Sequence, residues 1–141
     1  MVEKFADLTG RWLGRYEYPD GNDTVPFEAE LAEDLGSLDG LSSEPNSFRP
    51  ELGATLDAIL TGQRDGMTVL FAKRYLGFQE DGPIGYEGTV DAALSRIEGH
   101  WSFALPVQYS GRFVMMRKPL ASARAARRQT IERASEFTLK F

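Results

Sequence analysis

Cysteine is absent from this 141-residue chain, and histidine occurs once, as His100. The absence of cysteine excludes disulfides, thiolate nucleophiles and cysteine-ligated zinc sites. No group of His, Asp and Glu has the spacing of a metal site, and no serine lies in the strand-to-helix turn that activates a hydrolase nucleophile. We therefore expect no metal and no other cofactor, and the sequence assigns no catalytic residue.

Long hydrophobic runs are also missing. The N-terminal residues contain no apolar stretch typical of a secretory signal. No segment approaches the roughly 18 apolar residues that a membrane helix needs. With 42% hydrophobic and 26% charged residues, the composition is that of a globular domain with its own core. We expect a cytoplasmic protein with no membrane partner.

Positive charge is scarce in most of the chain. Residues 1–116 contain 9 Lys and Arg against 19 Asp and Glu, whereas residues 117–141 contain 7 against 2. An acidic body repels nucleic acid, so no nucleic-acid partner is expected. We expect the basic tail to dock on the acidic body; the alternative is that the tail holds a partner, including a second copy of the chain.

Alternation of apolar and polar residues with a period of two predicts about eight β-strands. The alternation is clear in the second strand, where Val25 and Phe27 face one side and Glu28 and Glu30 face the other. Asp-Gly and Pro-Asp-Gly turns separate several strands. The predicted strands are residues 10–18, residues 25–33, a weak third strand near Leu38 and Leu41, and residues 55–63, 67–75, 84–92, 95–105 and 110–118.

The segments outside these strands give three further expectations. Residues 2–8 are expected to form one short helical turn. Residues 44–51 contain two prolines and are interpreted as a loop, with the position of a lid if it lies at a barrel end. Residues 119–141 begin with Pro119 and are rich in Ala, Arg, Gln and Glu, which predicts a basic tail that is helical or partly disordered.

Eight antiparallel strands joined in sequence close most simply as an up-and-down β-barrel, and a two-sheet sandwich is the alternative. A short triplet of an apolar residue, a polar residue and glycine recurs in the strands. Glycine relieves crowding where a barrel strand bends sharply. Residues 1–118 are therefore predicted to form an all-β barrel domain. The recurring glycines are Gly62, Gly88, Gly99 and Gly111.

The order of elements and the Gly10-x-Trp12 motif of the first strand resemble those of the lipocalin-like (calycin) barrels. The resemblance covers most of the chain. It implies that Trp12 packs under a closed barrel end and that a basic residue from the end of the last strand lies across it. Arg117 is in the matching position, and Arg112 is the second choice. Cation–π attraction gives such a pair a physical basis.

Two other barrel families share part of this opening. Residues 8–12 are similar to the start of avidin-type barrels, but Gly14 and Tyr18 stand where that family has polar residues for biotin, so biotin is not expected. Nitrobindin-type haem barrels also have a comparable first strand and hold haem through a late histidine. His100 is on the opposite face from Trp101, so an inward Trp101 excludes it as a haem ligand.

The predicted interior is rich in aromatic residues and also contains polar groups. Tyrosine hydroxyls and Lys73 need hydrogen-bond partners inside a packed barrel, and a pocket with aromatic walls and few polar anchors provides them. We therefore predict that the barrel binds a small hydrophobic or aromatic ligand without catalysis. The predicted ligand-binding residues are Tyr16, Tyr18, Phe71, Lys73, Tyr86 and Trp101.

Two alternatives remain open from the sequence. One is a filled structural barrel that acts through self-association or through a protein partner. The other is an enzyme that uses the barrel cavity, with a tyrosine or Lys73 as acid or base. Fold analogy alone supports the second alternative, because related barrels host some lyases and isomerases.

Overall fold

The structure, a computed structural model, describes residues 5–21, 23–46, 51, 53–77, 83–103 and 109–119. These residues form a closed barrel in which each strand is antiparallel to the next. The described part contains no α-helix, and no helix in it is long and apolar enough to cross a membrane. The strands are β1 (Gly10–Glu17), β2 (Thr24–Asp34), β3 (Ser37–Pro45), β4 (Thr55–Asp65), β5 (Thr68–Tyr75), β6 (Ile84–Val90), β7 (Arg96–Phe103) and β8 (Tyr109–Arg117).

The first and last strands close the barrel. β1 pairs with β8, with Trp12 opposite Arg117 and Tyr16 opposite Phe113. All the remaining pairs join strands that follow one another in the sequence. Closure satisfies the backbone groups that a sheet edge would leave unpaired. The predicted eight-strand up-and-down barrel is therefore confirmed, and the two-sheet sandwich is wrong.

Burial alternates along each strand, as the period-two patterns predicted. In β5, for example, Val69, Phe71, Lys73 and Tyr75 are buried, and the residues between them face outward. The inward side chains of all eight strands form the core. Glycines permit close packing at the bends: a Cβ atom at Gly62 would collide with the backbone of Leu70 on β5.

The two ends of the barrel differ in their connections. At one end, β2–β3 and β4–β5 are joined by two-residue turns at 35–36 and 66–67. At the other end, longer connections cover residues 18–23, 46–54, 76–83 and 104–108, parts of which lie outside the described residues. We call the first the closed end, because residues 5–9 pack over it, and the second the loop end.

Trp12 is fully buried at the closed end, beside the buried Leu8. Its indole Nε1 donates a hydrogen bond of 3.0 Å to the carbonyl oxygen of Leu8. The guanidinium carbon of Arg117 lies 4.7 Å from the centre of the Trp12 ring and 3.9 Å from that of Phe5. Arg117 therefore has the predicted position across Trp12, whereas Arg112 is exposed on the outer face of β8.

Of the three segments interpreted outside the strands, two differ from the prediction in part, and one lies outside the described residues. The helical turn predicted for residues 2–8 is wrong for its described part, because residues 6–8 form bends. The backbone N–H groups here donate to side chains instead of to a helical turn: Leu8 N donates to Glu33, and Thr9 N donates to Asp7. The loop predicted for residues 44–51 is wrong at its start, because β3 continues to Pro45. The helical or disordered tail predicted after Pro119 lies outside the described residues.

Candidate functional site

Glu44 is the most unexpected residue of the barrel interior. On β3, the inward positions are every second residue from Leu38, and Glu44 continues that phase. Its relative exposure is only 2%. A carboxylate is almost never fully buried unless it is paired, because the loss of hydration is costly. Glu44 must therefore have strong partners within the lumen.

Among the described residues, three side chains donate hydrogen bonds to this carboxylate. Oε1 accepts from Lys73 Nζ at 2.5 Å and from the Tyr75 hydroxyl at 2.8 Å. Oε2 accepts from the Tyr16 hydroxyl at 2.5 Å. Lys73 is 3% exposed, so this is a buried ion pair supported by two charge-assisted hydrogen bonds. We call Tyr16, Glu44, Lys73 and Tyr75 the polar cluster.

The polar cluster crosses the lumen at the loop end. Tyr16 is on β1, Glu44 on β3, and Lys73 and Tyr75 on β5, so a strand separates each contributor from the next. Tyr16, Glu44 and Tyr75 lie within the last two residues of their strands, next to the long connections. The side chains therefore meet inside the barrel, where a ligand that entered from this end would contact them.

Aromatic rings surround the ammonium group of Lys73. Its Nζ lies 4.8 Å from the centre of the Tyr16 ring and 4.6 Å from that of Tyr75. Phe27 and Tyr86 lie farther away, at 5.9 and 5.8 Å. Attraction between the cation and the ring faces offsets part of the cost of removing the ammonium group from water.

Burial raises the pKa of the Tyr16 hydroxyl far above its usual value, and the charge of Glu44 raises it further. The same two causes, burial first, raise the pKa of Tyr75. Both hydroxyls are therefore protonated donors at neutral pH and cannot serve as bases. Because one carboxylate faces one ammonium group, the polar cluster carries no net charge.

Four aromatic residues lie above the polar cluster, towards the mouth of the loop end. Trp101 is buried and donates its indole N–H to the carbonyl oxygen of Glu17 at 2.9 Å. Its ring is stacked on Phe103 at 6.0 Å and contacts Tyr18 edge-on at 6.3 Å. Tyr109, which is 40% exposed, is 5.8 Å away. We call Tyr18, Trp101, Phe103 and Tyr109 the aromatic rim.

The six predicted ligand-binding residues fall into two adjoining groups. Tyr16, Tyr18 and Trp101 form mutual edge contacts at the loop end. Phe71 and Tyr86 form a parallel stack with centres 4.9 Å apart, and Lys73 reaches both groups. The six residues are Tyr16, Tyr18, Phe71, Lys73, Tyr86 and Trp101.

Sequence reasoning missed Glu44, the acceptor at the centre of the polar cluster, and did not assign Tyr75 to the site. Two prolines nearby, Pro45 and Pro50, favoured a loop from Glu44 onward. The signal that could have found Glu44 was the phase of β3, because counting by twos from Leu38 reaches it. A carboxylate in an inward phase, opposite an inward lysine on another strand, predicts a buried ion pair.

His100 lies on the outside of the barrel, as predicted. It is exposed and faces a shallow external groove of about 430 Å³ across β4 to β7. Glu87 is its cross-strand neighbour in this groove. Because His100 is on the outer face, it does not contribute to the interior site. No group of three or more metal-ligating side chains occurs in the part of the chain that the structure describes.

Comparison with known proteins finds no match to this chain among family models, curated proteins or solved structures. The function therefore has to be inferred from the chemistry of the barrel itself.

Proposed function

We propose that the barrel binds a small, partly apolar ligand in the loop-end half of its lumen, beside the polar cluster, without chemical transformation of the ligand. The observation that carries this proposal is the burial of an ion pair and two tyrosine hydroxyls in the lumen of a largely apolar barrel. The lipocalin-like resemblance of the first strand is consistent with it.

Stability gives no sufficient reason for the polar cluster. Replacing a buried ion pair by apolar side chains of similar volume is often neutral or stabilising. An eight-stranded barrel can fill its interior with side chains or hold one small ligand. A few polar groups within an aromatic wall are typical of ligand sites, where they orient the ligand. Binding therefore explains why these polar residues occupy core positions.

The aromatic rim supports entry from the loop end. Tyr18 and Phe103 are half-buried, and Tyr109 is exposed. Rings of this kind supply apolar contact area without long flexible chains, so little conformational entropy is lost when a ligand packs on them. At the closed end, by contrast, Trp12 and Leu8 are fully buried.

Loss of a bound ligand should lower thermal stability, because a ligand that binds only the folded state stabilises it. We would measure the melting temperature of gently purified protein, of protein unfolded and refolded without small molecules, and of refolded protein with cell extract restored. We expect the second to be lower and the third to recover. Equal melting temperatures in all three samples would contradict the proposal.

The matched variants for this test are two pairs of substitutions. Glu44→Gln with Lys73→Met removes the buried ion pair and should abolish the effect of the extract. Glu28→Gln with Lys118→Met removes an external ion pair of 3.4 Å and should leave the effect intact. Tyr16→Phe, which keeps the ring, serves as a milder change within the polar cluster.

Self-association of a filled barrel is a second candidate function, favoured by one feature of the outer face. Leu41 on β3 lies directly opposite Ile59 on β4, and these side chains are 58% and 42% exposed. Two adjacent apolar side chains on an outer sheet face are able to contact a second copy. In native mass spectra we expect the wild type to be oligomeric and the variant with Leu41→Ser and Ile59→Thr to be monomeric. The same number of subunits in both proteins would exclude this role of the outer face.

A further inference from the structure

Ser42 is the buried polar group that the polar cluster leaves unexplained. It lies two residues before Glu44 on β3, on the same inward face, and is 5% exposed. Its hydroxyl oxygen is buried and has no hydrogen-bond partner among the described residues. Nearly all buried polar side-chain atoms have a partner, so an exception in the lumen requires an explanation.

Small side chains surround this hydroxyl along the barrel wall. Ala29 on β2 and Ala58 on β4 are its direct cross-strand neighbours. The same row continues to Trp12 on one side and Tyr75 on the other. Three small inward residues between two large ones leave the lumen less filled along this strip than a row of leucines would.

The charge of the neighbouring polar cluster restricts what this strip can accept. Glu44 and Lys73 compensate each other, and the two tyrosines are neutral donors. A charged ligand would lose its hydration and find no uncompensated charge of opposite sign. A neutral ligand would not incur this cost, and its own polar group could bond to the Ser42 hydroxyl.

We propose that the interior site selects an uncharged, partly apolar molecule with a hydroxyl or carbonyl group, and that Ser42 Oγ is the hydrogen-bond partner of that group. This inference rests on the proposed function of the loop end. It adds the charge class of the ligand and a contact residue that the sequence did not indicate.

Four probes of similar shape test this inference: benzyl alcohol, toluene, benzoate and benzylammonium. Each is titrated at pH 7 into the full-length ¹⁵N-labelled protein, and dissociation constants are taken from chemical-shift changes. We expect benzyl alcohol to bind at least about tenfold more tightly than either charged probe. Ser42→Ala should weaken benzyl alcohol about five- to tenfold, the effect of one hydrogen bond, and should change toluene less than about twofold.

Ser43→Ala is the matched control, since Ser43 lies next in sequence on the outward face of β3; it should leave all four constants unchanged. Equal affinity for charged and neutral probes would overturn the inference, as would an unchanged affinity of Ser42→Ala for benzyl alcohol. In those cases the proposed function stands, because the barrel still binds. Absence of binding by all four probes, together with equal melting temperatures in the extract experiment, would overturn both.

Discussion

The two ends of this barrel use the same kinds of residue in different ways. Each end has an inward tryptophan and a cation that contacts aromatic rings. At the closed end, Arg117 donates to the backbone carbonyl oxygens of Leu94, Thr9 and Asp7, at 2.8, 2.6 and 2.5 Å. At the loop end, Lys73 donates to a side chain, the Glu44 carboxylate.

We propose that this difference reflects a structural role at the closed end and a binding role at the loop end. Backbone carbonyl groups belong to the fold, so a residue that satisfies three of them ties the N-terminal segment, the β6–β7 connection and β8 together. Side chains that bond to one another can be replaced as a set without breaking that framework. In this proposal the closed end maintains the barrel, and the polar cluster of the loop end contacts the ligand.

The largest expected effect comes from breaking the polar cluster on one side only. Lys73→Met leaves the Glu44 carboxylate buried without its counter-charge, which should lower the free energy of unfolding by about 3–5 kcal/mol. Adding Glu44→Gln should restore most of that loss, because the uncompensated charge is removed. Urea denaturation of the two variants measures both quantities, and an equal loss in both would contradict the account of the loop end.

At the closed end, no second side-chain substitution should compensate for the loss of Arg117, because the acceptors of its hydrogen bonds are backbone carbonyl groups. Arg117→Met leaves three backbone carbonyl groups without their donor, and we expect a loss of about 2–3 kcal/mol in urea denaturation. Arg112→Met is the matched control, because Arg112 is exposed on the same strand; it should change stability by less than about 0.5 kcal/mol. Similar losses in both variants would remove the distinction between the two positions.

Two tyrosines of the loop end should make the stability of the protein fall at alkaline pH. Burial, and then the Glu44 charge, raise the pKa values of Tyr16 and Tyr75. Each stabilises the fold fully below the unfolded pKa of about 10, and that contribution is lost as pH rises, because the unfolded chain releases protons that the folded chain retains.

Above pH 10, each of these two tyrosines should lower the free energy of unfolding by about 1.4 kcal/mol per pH unit. Tyr16→Phe and Tyr75→Phe should each reduce the slope of stability against pH by that amount, and the double variant should reduce it by twice as much. Slopes that match the wild type would show that these hydroxyls ionise as readily in the folded state.

The smallest effect concerns an ion pair of the closed end. Glu33 accepts from Arg64 at 2.8 and 3.0 Å. Burial tends to raise the Glu33 pKa, but the hydrogen bonds from Arg64 and from the Leu8 N–H group lower it overall. The resulting stability is present above the ordinary glutamate pKa and is lost as pH falls through the lower folded value.

On acidification, the free energy of unfolding of Glu33→Gln should therefore decrease less than that of the wild type. The difference should be about 1 kcal/mol or less. Thermal melts of both proteins between pH 6 and pH 3 measure this difference. A steeper loss in the variant than in the wild type would contradict the assigned direction of the pKa change.

Much of this fold could be predicted from the sequence, because most strands alternate strictly and have clear turns between them. The inward phase of Lys73 followed from such patterns, whereas the position of Arg117 across Trp12 was expected from the resemblance of the first strand to lipocalin-like barrels. Ser42 and Glu44 were missed, because the apolar alternation of β3 is weak: Leu41 faces outward, and two inward positions are polar. Period-two patterns are least informative for a strand with polar inward residues, and violations of such local rules are expected at functional sites.

The most direct test of ligand binding at the loop end is to measure the native and the denatured mass of protein purified gently from cells. We expect extra mass in the native spectrum that disappears on denaturation, in the wild type and in the variant with Glu28→Gln and Lys118→Met. We expect no extra mass when Glu44→Gln and Lys73→Met are combined. Equal native and denatured masses per subunit in the wild type would contradict a ligand-binding loop end.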